Sequence, residues 1–412
     1  MPGLACRFCG RPLAHTFADL GVSPLANSYL EPEDLLKAER FYPLRVYVCE
    51  GCLLVQLPEA ESPEAIFSDY AYFSSYSESW LRHAERYAAG VTERFGLTAQ
   101  SRVVEIASND GYLLRFFKQR GIPVQGIEPA ANVAAAAEAL GIPSLVRFFG
   151  EALGRELAAE GRQADLLVGN NVLAHVPALN DFVAGLKILL APGGVVTMEF
   201  PHLLRLMDEV QFDTIYHEHF SYFSFATVRR VFAAHGLDLF DVEELPTHGG
   251  SLRIFGCHAS ERFRRPEEPR VADLLAREAA AGLGSLAGYR DFDRRVQALK
   301  RGLLRFLIDA REAGKTVVGY GAPAKGNTLL NYCGVREDLV AYTVDRSPHK
   351  QGRYLPGTRI PIHAPERIRE TRPDYLLILP WNLREEIAGQ MADLPSWGGR
   401  FVVAVPEVRI FP

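Results

Sequence analysis

Val103-Val104-Glu105-Ile106-Ala107-Ser108-Asn109-Asp110-Gly111-Tyr112 opens as a mainly apolar run suited to a buried strand, then breaks into a short polar turn before a helical pattern. Glycine at 111 removes a side chain that would keep backbone N–H groups away from a ligand. The turn is not Gly-x-Gly-x-x-Gly, and an acidic residue, Glu105, sits inside the strand end, which disfavours a bound pyrophosphate. An amino acid moiety with a free ammonium suits it better. The residues expected to face this ligand are Glu105, Ala107, Ser108, Asn109, Gly111, Tyr112 and Leu113.

The next strand, Val124-Gln125-Gly126-Ile127-Glu128, closes on a carboxylate that can accept both hydroxyls of a ribose, with Pro129 beside it. Read singly, Asp110 is equally well a helix cap and Glu128 a solvated strand end. Together, at this spacing, they favour a ribose-containing cofactor without a pyrophosphate, which describes S-adenosylmethionine. Asn170 and Asn171 follow a further strand at the same sheet edge. His175, just beyond, is read either as a functional group or as a cap of the next segment.

Strands at 165–168 and 194–198, with helical patterns between, give a doubly wound parallel α/β sheet. A helix is expected over 80–95. After a long amphipathic helical stretch, roughly 268–313, the alternation resumes at 316–320, 340–344, 375–379 and 401–405, predicting a second, Rossmann-like α/β domain. With 412 residues the chain exceeds what one hydrophobic core usually supports. Three domains are expected: a zinc-binding part over 1–66, a cofactor-binding part over 67–245 and a C-terminal α/β substrate-binding part over 246–412.

Cys6-Arg7-Phe8-Cys9 and Cys49-Glu50-Gly51-Cys52 are two Cys-x-x-Cys knuckles, and together they supply the four thiolates that tetrahedral zinc requires. With all four positions filled by protein, the ion is structural; four buried thiols or a redox pair is the bland alternative. The start of the chain lacks the pattern of a signal peptide, so a cytoplasmic protein with reduced cysteines is expected. No apolar run reaches the roughly 18 residues of a membrane span. The formal charge of -5, with basic residues scattered, argues against nucleic acid as a partner. A monomer is the working expectation.

These segments resemble the sugar C-methyltransferase family of deoxysugar biosynthesis. The likeness runs through the knuckles, the 105–111 turn, 171–175, Tyr216-His217-Glu218-His219-Phe220, His248-Gly249-Gly250, Gly319-Tyr320-Gly321-Ala322-Pro323-Ala324-Lys325 and Pro380-Trp381-Asn382. The chain departs from the family at His217, where Asp is expected, and at Gly326-Asn327. The resemblance implies methylation of the carbon beside the ketone of a nucleotide-linked 4-keto-6-deoxyhexose. It implies His219 as base, Glu218 as the residue that orients or polarises it, and Tyr216 as a donor to the enolate or to the sugar.

Carbon alkylation needs a carbanion equivalent, and a positioned histidine removes a proton beside a ketone if the enolate is stabilised. In an extended chain Tyr216 and Glu218 face away from His217 and His219; a helical turn brings Tyr216 and His219 together instead. A helix cap with rings filling the core, or a metal site through His217 and His219, are the alternatives. The stretch 69–76 is read as folding over the cofactor, with Tyr72 as an active-site phenol and Tyr76 next to it. The glycine turn at Gly321, with Lys325, Asn327 and, farther on, Lys350, offers backbone donors and cations to a phosphate. Competing functions are a dehydrogenase, an O- or N-methyltransferase and a zinc-ribbon binding protein without catalysis.

Overall fold

Alternation within strands buried on both faces builds the first sheet. Val104 and Ile106 point to one apolar cluster and Val103 to another, as do Leu167 against Leu166 and Val168. The computed structural model describes residues 4–67 and 74–412. Its chain divides into two units: Met1–Leu13, Cys49–His202 and Phe220–Ser285 form the first, and Ala14–Val48, Leu203–His219 and Leu286–Pro412 the second.

In the first unit seven strands, β1 (Val103–Ile106), β2 (Val124–Ile127), β3 (Ser144–Leu145), β4 (Ala164–Asn170), β5 (Leu190–Pro201), β6 (Leu237–Leu245) and β7 (Ser251–His258), lie in the order β3-β2-β1-β4-β5-β7-β6. The five strands from β3 to β5 are parallel. β7 runs antiparallel to both β5 and β6. Strand order reverses between β1 and β4, which opens a crevice at their carboxyl ends where ligands bind in such sheets. The helix Glu78–Phe95 covers one face. Ser77 caps its first turn by accepting the Trp80 N–H at 3.3 Å, and Gly96 ends it in the left-handed region at φ 63°.

The second unit carries six strands, β8 (Val317–Tyr320), β9 (Thr343–Val344), β10 (Ile362–His363), β11 (Tyr375–Ile378), β12 (Arg400–Val403) and β13 (Arg409–Phe411), ordered β10-β9-β8-β11-β12-β13. All pairs are parallel except the last. The sheet has its own reversal of order, between β8 and β11. The same unit contains an antiparallel pair, His15–Ser23 and Tyr42–Val48. Phe17 stacks on Phe292 at 4.4 Å, and the Asp19 N–H donates to Asp293 at 2.9 Å.

Residues 14–48, expected within the zinc-binding part, therefore group with the C-terminal sheet, as do 203–219. The long amphipathic helical stretch consists of two helices, Pro269–Ala280 and Phe292–Glu312. Gly282, at φ 88°, turns the chain between them where a residue with a Cβ is strained. Among the described residues no helix is long and apolar enough to cross a membrane.

Candidate active site and metal centre

Each cysteine knuckle is a tight turn closed by backbone hydrogen bonds, Gly10 N–H to Cys6 O at 2.9 Å and Leu53 N–H to Cys49 O at 2.9 Å. Gly10 and Leu53 both sit at positive φ, 73° and 62°. The four sulfurs of Cys6, Cys9, Cys49 and Cys52 lie within 4.8 Å of one another, with 3.5 Å between Cys6 and Cys52 and between Cys9 and Cys49. Sulfurs around a tetrahedral zinc at about 2.3 Å stand roughly 3.8 Å apart, so the donor set fits that ion and leaves no position for water. Arg7, between the first two cysteines, donates to Pro177 O at 3.2 Å, and its cation lies over the Phe220 ring at 5.4 Å. The cysteine centre is thereby built into the first unit.

The turn after β1 is held in an unusual shape. Ala107 and Asn109 adopt φ 56° and 50°, and Gly111 adopts 76°. A Cβ at Gly111 would meet Ile142 Cδ1 at 2.5 Å, so both conformation and space require glycine. Glu128 braces the turn: its two carboxylate oxygens accept the N–H groups of Asn109 and Ala130, each at 2.9 Å. The Asn109 side chain and Asp110 in turn accept the N–H groups of Ser74 and Ser75, at 2.9 and 3.1 Å.

What remains unpaired is informative. Ser108 Oγ, Asp110 Oδ1 and the amide atoms of Asn170 are buried with no partner within hydrogen-bond distance among the described residues, and the buried Glu105 carboxyl has the Tyr112 side chain beside it. Burial pushes the Glu105 carboxyl well above its ordinary range; Tyr112 pulls the other way, and the nearby Glu128 and Asp110 add to the rise. Glu128 is raised for the same principal reason, burial. Several buried acceptors with no internal donor complement a ligand that brings donors and positive charge. A cationic amino acid with a ribose answers that description.

Tyr112 and Leu113 are buried in the apolar cluster beneath this turn. Pro129 is half-buried next to Glu128. Asn171 takes φ 54°, donates its N–H to Glu199 O at 2.8 Å and pairs through its side chain with His248 Nε2 at 3.2 Å. His175 ends the short turn Leu173–His175, and the Phe220 N–H donates to Ala174 O at 2.7 Å. Tyr76 is 69% exposed. Tyr72 lies outside the described residues.

In the second unit the question left open by Tyr216-His217-Glu218-His219 is answered by a turn. The His219 N–H donates to Tyr216 O at 2.9 Å, and the two rings meet at 4.0 Å. His219 Nδ1 lies 2.7 Å from Thr214 O. A carbonyl only accepts, so Nδ1 carries the proton and Nε2 keeps the lone pair of a base. His217 points elsewhere, with Nε2 3.3 Å from Pro43 O and its ring edge-on to Tyr42. The cysteine cluster is the one metal-competent group of Cys, His, Asp and Glu found among the described residues, and it does not include His217 or His219. Glu218, 5% exposed, accepts from Asn27 Nδ2 at 2.6 Å.

Beside this turn runs the edge of the second sheet. Gly321 takes φ 87°, and a Cβ there would strike Pro380 Cδ at 2.6 Å. Lys325 donates to Asn382 at 2.8 Å and sits 4.6 Å over the Trp381 ring; burial lowers its pKa and Asp213 opposes the fall. Asp213, fully buried, accepts the Trp381 indole N–H at 2.7 Å, and burial pushes its carboxyl up to about 6. Asn327 donates to Ala26 O at 2.6 Å, and Lys350 to Ala322 O at 2.9 Å. Asn27, Asp213 and Thr214 were not anticipated; each acts through a partner that the local sequence does not disclose, and only the proximity of 213 and 214 to Tyr216 hinted at them.

Three family models match the chain: a zinc binding domain over residues 6–67, a methyltransferase domain over 80–242 and a C-methyltransferase C-terminal domain over 246–406. The C-methyltransferase NovU of Streptomyces niveus is 38% identical over 408 residues, which is 98% of this chain and 96% of that protein. Among solved structures, the magnesium protoporphyrin IX methyltransferase of Synechocystis PCC 6803 with bound SAM is 14% identical with a TM-score of 0.33, covering 43% of this chain and 78% of its own. The CcbJ methyltransferase of Streptomyces caelestis is 12% identical with a TM-score of 0.34, covering 43% and 89%. An identity of this extent across nearly the whole length, with the crevice and the cysteine cluster in place, shows that the chain belongs to the C-methyltransferase family, as an S-adenosylmethionine-dependent enzyme with a zinc-binding N-terminal region.

Proposed function

We propose that the enzyme methylates the carbon next to the ketone of a nucleotide-linked 4-keto-6-deoxy sugar, with His219 removing the proton from that carbon. The observation that carries this reading is the pairing of His219 Nδ1 with Thr214 O, which leaves Nε2 as the proton acceptor. Tyr216, its ring against that of His219, is assigned the donor to the enolate oxygen, and Glu218 the carboxylate that stabilises the imidazolium. His175 and Tyr72 complete the proposed catalytic set. S-adenosylmethionine, when bound, supplies an electrophilic methyl group.

For that cofactor, Glu105 is assigned the ammonium, Glu128 the ribose, and Ser108, Asn109, Asn170 and Asn171 the remaining polar contacts. Ala107, Gly111, Tyr112, Leu113 and Pro129 shape the cradle, and Tyr76 is assigned to its rim. Lys325, Gly321, Asn327 and Lys350 are assigned to the nucleotide phosphates. We take the order 1–66, 67–245 and 246–412 as the sequence of zinc, cofactor and substrate parts, acting in a cytoplasmic monomer that binds neither nucleic acid nor membrane.

The test is a panel of thymidine, uridine and guanosine diphosphate-linked 4-keto-6-deoxyhexoses with S-adenosylmethionine, followed by the mass and position of the added methyl. A new carbon–methyl bond beside the ketone is expected. Methyl groups found solely on oxygen or nitrogen overturn the reading.

A further inference from the structure

We propose that Asn27 is a positioning residue for proton transfer, acting through Glu218; the inference rests on the assignment of His219 as the base. Asn27 lies in Pro24-Leu25-Ala26-Asn27-Ser28-Tyr29, far in sequence from the residues it serves. Its Nδ2 donates to Glu218 Oε1 at 2.6 Å.

The segment that carries it is fixed on both sides. Ala26 O accepts Asn327 Nδ2 at 2.6 Å. The Tyr29 hydroxyl donates to Ala322 O, and Leu30 exchanges backbone hydrogen bonds with Tyr354 at 3.0 and 2.9 Å. Asn27 is thus held from a rigid frame rather than from a loose loop.

The chemistry explains why an amide suits the position. A carboxylate as buried as Glu218 is costly unless a donor replaces lost water. A lysine or arginine would supply that donor but neutralise the charge, and the carboxylate would lose its influence on a neighbouring imidazolium. The Asn27 amide donates without bringing charge. Its hydrogen bond favours the ionised form of Glu218 and fixes one oxygen, which holds the carboxylate for the role assigned to it above.

Asn27→Ala in the full-length zinc-loaded enzyme should lower kcat roughly ten- to hundredfold, the range for losing a hydrogen bond to a charged group. Affinity for S-adenosylmethionine should stay unchanged, and KM for the keto sugar should change less than kcat. In a Glu218→Ala background the same change should cost less than twofold. A wild-type kcat for Asn27→Ala, or an equal loss in both backgrounds, overturns the proposal.

Two further variants separate positioning from packing. Asn27→Asp keeps the shape but sets one carboxylate against another, whereas Asn27→Ser is smaller and keeps a donor. Positioning predicts that the serine variant is the faster of the two, and an aspartate variant as fast as wild type overturns it. The reading of His219 is tested separately: if His219→Asn turns over the keto sugar at the wild-type rate, the base assignment fails whatever the Asn27 series gives.

Discussion

The two α/β sheets share a topological device and use it in opposite ways. Each reverses strand order next to its first strand, and each follows that strand with a turn that needs positive φ, at Gly111 and at Gly321. In the first unit the crevice is lined by buried polar groups with no partner among the described residues, Ser108 Oγ and the Asn170 amide among them, and by the buried Glu105 carboxyl. In the second, the corresponding turn is occupied by the chain itself: Ala322 N–H donates to Asp345 at 2.8 Å, and Ala322 O accepts from Tyr29 and from Lys350. Asn327 Nδ2 donates to Ala26 O, while its Oδ1 has no partner among the described residues. The shared reversal of strand order therefore does not imply a second cofactor, because Tyr29 and Asn327 already tie this turn to the segment 26–29.

This contrast is open to attack from both sides. The largest effect is expected in the first crevice. Glu128→Gln replaces one of the two oxygens that accept the Asn109 and Ala130 N–H groups by a donor and loses the charge that strengthens hydrogen bonds to ribose hydroxyls, so affinity for S-adenosylmethionine should fall about ten- to hundredfold. Calorimetry on the purified enzyme checks it, and an unchanged affinity removes Glu128 from the cofactor site.

The filled crevice should instead pay in stability. Asn327→Ala leaves the Ala26 carbonyl without its donor, and a lost buried hydrogen bond costs about 1–3 kcal/mol. Denaturant unfolding should register that loss while S-adenosylmethionine affinity stays constant. A fall in cofactor affinity of tenfold or more would break the contrast.

The smallest effect has the opposite sign. Folded Glu105 holds its proton to higher pH than the unfolded chain, whose ordinary value is about 4.5. Above that pH the folded form binds more protons than the unfolded one, so stability falls as pH rises toward the folded value. Glu105→Gln abolishes this loss. Ligand-free Glu105→Gln protein should melt higher than wild type at pH 8, with the difference vanishing near pH 4.5. A lower melting temperature at pH 8 would show that the Tyr112 side chain stabilises the wild-type carboxylate by more than burial costs it.

Much of the first unit was legible because its signals are local. Residues 103–112 and Glu128 lie within one strand–helix–strand stretch, and the cysteines announce themselves by a two-residue gap within each knuckle. The helix Glu78–Phe95 begins two residues before the position read from periodicity, since Ser77 supplies the cap. Less was legible where partners are distant. Nothing near residues 14–48 shows that Phe17 stacks on Phe292 or that Asn27 meets Glu218, because a single long-range contact leaves no period in the sequence. The geometry of Tyr216-His217-Glu218-His219 was undecidable for a related reason. Extended and turned forms pair the same four side chains differently, and the choice rests on Thr214 O and Pro43 O.

The central claim is that His219 takes a proton from the sugar carbon, and the most direct measurement is solvent exchange at that carbon. Wild-type enzyme with S-adenosylhomocysteine bound, in deuterium oxide, should wash deuterium into the keto sugar at the position beside the ketone. His219→Asn should bind S-adenosylhomocysteine normally and exchange roughly a hundredfold to ten-thousandfold more slowly, the usual cost of losing a general base. Exchange by His219→Asn at the wild-type rate would contradict the account and turn attention to His175.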